Sequence, residues 1–121
     1  MRDEEQKKKW KQVVAFFKEQ FDAGEEIDLD AMLFLIGVRE LGTDKSKFKK
    51  DEKLDLMHIA ICRLLAPYGF YELAGLDEQG WPHYHVLKPL PPLKAGEQAL
   101  LMRDSIIQYF EFEGILEFEI N

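Results

Sequence analysis

One stretch constrains the fold of this chain more than any other. The apolar run Leu64-Leu65-Ala66 is halted by Pro67-Tyr68-Gly69, and two extended segments follow at once, Phe70 to Leu76 and Trp81 to Leu87. Proline has no N–H to continue a helix, and glycine accepts the left-handed backbone that closes one. Between the extended segments lies Asp77-Glu78-Gln79-Gly80, a turn with a glycine free to take a positive φ. A helix that stops and passes directly into a hairpin predicts the α+β class.

The flanking sequence supplies the other helices. Trp10, Val13, Val14, Phe17 and Phe21 repeat with the spacing of one helical face over residues 7–21, and Gly24 breaks that pattern. Asp28 or Asp30 can cap a second helix from Leu29 to Leu41, which is apolar nearly all round and therefore central. Gly37 inside it costs helix stability, which predicts a close backbone contact there. Residues 42–50 read as a connection. A third helix over 51–66 places Leu54, Met57, Ile61 and Leu65 on one face. Lys88 to Leu93 is too proline-rich for helix or central strand and reads as an extended strap whose leucines pack on the body. A fourth helix runs from Gly96 or Glu97 to about Phe110, burying Ala99, Met102, Ile106, Tyr109 and Phe110. Finally Ile115-Leu116-Glu117-Phe118-Glu119-Ile120 alternates apolar and acidic residues with the period of a strand, a third strand for the sheet or for another chain.

The hairpin admits two registers. A four-residue loop sets Leu76 opposite Trp81, puts Tyr71, Leu73, Tyr84 and Val86 on one face, and sets Glu72 opposite His85. A three-residue loop with a bulge at Gly80 slips the second strand by one and moves Leu73 to the histidine face. The first is preferred because it separates an apolar from a polar face.

Composition narrows the function classes. The 121 residues fit a single domain, residues 1–121, and 46% hydrophobic content suits a packed core. A formal net charge of -7 disfavours general attraction to nucleic acid or anionic lipid. One cysteine, Cys62, permits no internal disulfide and suits a reducing compartment. The first residues lack the apolar core of a signal peptide, and the longest apolar run is too short for a bilayer. A cytoplasmic location is the resulting expectation, with no membrane contact.

Three helices and then a hairpin entered straight from the third is an order similar to that of winged-helix domains. The segments that carry the resemblance are Leu65-Ala66-Pro67-Tyr68-Gly69-Phe70-Tyr71-Glu72-Leu73, Asp77-Glu78-Gln79-Gly80 and Tyr84-His85-Val86-Leu87, within residues 29–88. The resemblance implies a recognition helix followed by a wing. The connection between the second and third helices is long for that pattern, and the third helix is rich in apolar residues.

Chemistry-bearing groups are few. His58 and Cys62 are four apart on a helix, and His83 and His85 two apart on a strand, so each pair shares a face. Three imidazoles and a thiolate would suit tetrahedral zinc, with Glu72 supporting His85. The same residues also read as helix packing and an exposed strand face, and no C-x-x-C accompanies them. No phosphate-binding glycine loop or nucleophile elbow is present, so neither an enzyme nor a cofactor is expected. Lys47, Lys49, Lys50 and Lys53, with Lys45, cluster where a helix-turn-helix protein touches phosphate. Asp44, Asp51, Glu52 and Asp55 dilute that cluster, and it holds no arginine to read guanine. Trp81, Tyr84 and Phe118 are large residues at hairpin or edge positions, the type that anchors interfaces.

The sequence therefore predicts an α+β, winged-helix-like domain of four main helices with a hairpin. Its expected role is a non-catalytic protein-interaction or structural module that binds a protein partner or itself as a homodimer. The alternative is a DNA-binding transcriptional regulator contacting phosphate through Lys47, Lys49, Lys50 and Lys53.

Overall fold

A computed structural model describes residues 2–20, 27–42 and 47–119. It contains four α-helices, α1 (Arg2–Gln20), α2 (Leu29–Leu41), α3 (Lys50–Leu65) and α4 (Ala95–Glu113), and two strands, β1 (Tyr71–Leu76) and β2 (Pro82–Val86). The chain is α+β. The expected positions of Phe21, Gly24 and Lys45 lie outside the described residues.

The packing gathers residues into two compact units, 1–27 with 92–121, and 28–91. In the first, α1 pairs with α4. Phe16 and Phe17 meet Phe110 at ring-centroid separations of 5.3 and 5.5 Å, and Val13, Ile106, Ile107 and Tyr109 are buried. Gln6 donates to the Asp104 carboxylate at 2.9 Å, and the Arg103 guanidinium stacks over Trp10. α4 runs one turn past its expected end and closes on Gly114.

The tail of this unit corrects an expectation. Residues 116–119 enter no ladder, and the described sheet has two strands, not three. Instead the Gln12 side chain does what a neighbouring strand would. Its Nε2 donates to the Glu119 carbonyl at 2.6 Å, and its Oε1 accepts from the Glu119 N–H at 2.8 Å. One amide side chain satisfies both backbone groups of Glu119.

In the second unit α2 lies against α3. Asp28 caps α2 by accepting from the Ala31 N–H at 2.8 Å. Met32, Leu33, Ile36 and Gly37 of α2 are buried with Leu56, Ile59, Ala60, Cys62, Leu64 and Leu65 of α3. The expected stripe on α3 was a different one. Leu65 is buried, but Leu54 is exposed and Met57 and Ile61 are only half-covered. Apolar residues occupy both sides of α3, so spacing alone does not choose between them; the approach of α2 does. Arg63 reaches Glu40 at 3.5 Å to tie the two helices, and Phe34 meets the Phe48 ring edge-on.

α3 passes through a short 3-10 turn, Ala66–Tyr68, into the hairpin, with Pro67 at the turn's start and Gly69 at its end. The strands pair antiparallel, with Tyr71 opposite Val86, Glu72 opposite His85 and Leu73 opposite Tyr84. That is the preferred register at the base of the hairpin. Beyond Leu73 a bulge at Ala74 shifts it by one, so Gly75 faces His83 and Leu76 faces Pro82. The Asp77 N–H donates to the Trp81 carbonyl, and Gly80 turns the loop at φ 86°.

Candidate interaction site on the hairpin

Because β2 has no bulge, Pro82, Tyr84 and Val86 share one face, and their partners Leu76, Leu73 and Tyr71 share it too. Glu72, Gly75, His83 and His85 form the other. The bulge is what keeps Leu76 in phase with Leu73 despite three residues of separation.

The apolar face is only partly used. Pro82 is buried and Tyr84 half-buried beside Glu40, Arg63 and Cys62, where desolvation, first, and the Glu40 carboxylate push the phenol pKa up. Tyr71 sets its ring edge-on to His58 at 6.4 Å. Next to these covered residues, Leu73, Leu76 and Val86 are 57%, 66% and 68% exposed, and Leu87, which follows Val86 and so falls on the other side, is 52% exposed. Glu72 through Leu76 are exposed at every position, so both faces of that stretch are open to solvent.

The turn is held by one side chain. The Asp77 carboxylate accepts from the N–H groups of Gln79 and Trp81, both at 2.9 Å, and lies 3.0 Å from His83 Nε2. The His83 hydrogen bond, above all, lowers the Asp77 pKa, and the backbone donors add to it. A cleft of about 690 Å³ between the first turns of α3 and this loop is lined by Glu52, Asp55, His58, Asp77, Trp81 and His83.

The proposed metal ligands separate into pairs. Cys62 Sγ lies 3.5 Å from His58 Nε2, His83 bonds with Asp77, and His85 stands opposite Glu72. Among the described residues no three or more His, Cys, Asp or Glu side chains are grouped to hold a metal ion. Cys62 is buried, and desolvation pushes its thiol up to about 11. The neutral thiol is the stable form at ordinary pH.

Lys47, Lys49, Lys50 and Lys53 are all exposed around the start of α3, interleaved with exposed Asp51 and Asp55. Of the three large residues singled out as interface anchors, none is exposed. Trp81 lies half-covered in the loop, Tyr84 is packed within its own unit, and Phe118 is half-covered beneath the Lys9 ammonium at 5.8 Å. Leu76 and Leu87 were missed as surface residues. The signal was present at the ends of the hairpin, where the apolar alternation outruns the helix available to cover it.

Among the described residues no helix is long and apolar enough to cross a membrane. Comparison with protein-family models, with curated proteins and with solved structures yields no match for this chain.

Proposed function

We propose that this chain is a non-catalytic interaction module, a winged-helix-like frame that takes a protein partner on the outer part of its hairpin. The observation that carries the reading is the exposed apolar row Leu73, Leu76 and Val86 beside covered Tyr84 and Pro82. Contiguous apolar surface in water is unfavourable at roughly 25 cal/mol per Å² and marks interaction surfaces on folded proteins. The net charge of -7 and the aspartates between the α3 lysines favour a protein partner over nucleic acid.

The test is binding of a hydrophobic fluorescent dye to the native chain, with random duplex DNA in a parallel titration. The module should bind dye, and Leu73→Ser combined with Val86→Ser should remove most of that binding without altering the helical signal. A native chain that binds no dye sinks the reading. Salt-sensitive affinity for the duplex replaces it with the DNA-binding alternative through Lys47, Lys49, Lys50 and Lys53.

A further inference from the structure

We propose that the partner is a second copy of this chain, joined through the free edge of β1 to make a four-stranded antiparallel sheet. This rests on the interaction reading above and names its occupant.

The described sheet contains only β1 and β2, so each strand keeps one edge unpaired. Natural sheets blunt such edges with proline, charge and inward-pointing polar groups. β2 is blunted: Pro82 lacks an N–H, and self-pairing about Tyr84 would set His83 against His85 of the second copy. β1, Tyr71-Glu72-Leu73-Ala74-Gly75-Leu76, has no proline, no lysine and one charged residue. Its edge also faces the right way. The Leu87 N–H donates to the Phe70 carbonyl across the hairpin, so by alternation the N–H and C=O groups of Tyr71 and Leu73 point outward.

The chemistry of β1 is self-complementary in one antiparallel register. Centred between Leu73 and Ala74, it sets Tyr71 against Leu76 of the second copy and Glu72 against Gly75 of the second copy. Each carboxylate then meets a glycine instead of another carboxylate. These two outer pairs each join residues of the same face, a match that the bulge at Ala74 makes available, while at the centre Leu73 meets Ala74, which the hairpin leaves unpaired. The exposed leucines of both copies would line up on one side of the joined sheet. Such an interface is small against the roughly 1,200 Å² where standard interfaces begin, so association is weak and rises with concentration.

Sedimentation of the full chain from micromolar to near-millimolar concentration tests this, together with Leu73→Lys on the β1 edge and, away from the hairpin, Leu54→Lys at an exposed position of α3. The expected result is a reversible dimer that Leu73→Lys weakens by about tenfold or more and Leu54→Lys changes by less than about threefold. As a variant-free measurement, amide exchange at Leu73 should slow as the wild-type concentration is raised. Three results each overturn the proposal: a monomer at every concentration, a dimer indifferent to Leu73→Lys, or a Leu73 amide whose exchange ignores concentration. A monomer that still binds dye at the hairpin removes only the second copy as partner. A monomer that binds no dye removes the interaction reading as well.

Discussion

Gly37 of α2 lies directly against the backbone carbonyl of Leu56 in α3, so that a Cβ built on the glycine would overlap it. The obstacle is backbone, not the end of a flexible side chain, and Leu56 is itself fully buried. Gly37→Ala, which elsewhere in a helix would be a gain in propensity, should therefore destabilise the chain by about 1–3 kcal/mol, the range of overpacked cores. The urea midpoint should fall with an unchanged slope. An equal or raised midpoint would mean that the two helices can part without loss.

Cys62 should behave as an inert thiol. Burial and a pKa pushed up to about 11 leave little thiolate at neutral pH, so a thiol-specific reagent should react only after denaturant is added. Because the folded pKa is raised, the associated stability is complete below the ordinary thiol value near 9 and is lost as pH climbs toward 11. Cys62→Ala should flatten that part of the alkaline stability profile. Rapid labelling of the native chain would contradict the burial.

Asp77 predicts a response at the opposite end of the pH scale. Its folded pKa is lowered, so its contribution to the loop is present above the ordinary aspartate value and disappears as pH falls through the lowered one. Trp81, whose N–H donates to that carboxylate, reports the change in its fluorescence. In Asp77→Asn the acid transition of Trp81 should vanish, while the helices, held by apolar packing, keep their signal.

Gln12 offers a test of the tail. Gln12→Ala removes both bonds to the Glu119 backbone and should quicken exchange of the Glu119 amide several-fold, as expected for loss of about 1 kcal/mol. Gln12→Asn, one methylene shorter, should fail to restore protection. A Glu119 amide already unprotected in the wild type would show that the clasp does not persist in solution.

Much of this was legible from residue order alone. An aspartate cap at Asp28 or Asp30, Gly37 as a point of close approach, the helix stop at Pro67-Tyr68-Gly69 and the Glu72–His85 pairing each follow from local chemistry acting at a fixed spacing, and the structure selects Asp28. Three features were not legible, each for a physical reason. α3 is apolar on two sides, so only the approach of α2 determines that Leu56 is buried and Leu54 exposed. The acidic–apolar alternation before Ile120 has the period of a strand, but residues 116–119 enter no ladder and a side-chain amide on α1 bonds the Glu119 backbone instead. The bulge at Ala74 depends on how Pro82 and His83 seat against the preceding strand, a pairing that no single residue announces. At the candidate site, the apolar alternation of the hairpin was readable, but whether a helix covered it was not.

The unit built on α1 and α4 is discontinuous in sequence, while residues 28–91 form a continuous block between its halves. On a ribosome, that order becomes a schedule. The inner block is translated, hairpin included, before any of α4 has been made. Until then the Phe16 and Phe17 rings of α1 lack the Phe110 ring that covers them in the finished chain. Nascent α1 is thus an amphipathic helix whose apolar face waits for its partner, and surface left uncovered in that way is what chaperones and misassembly act on.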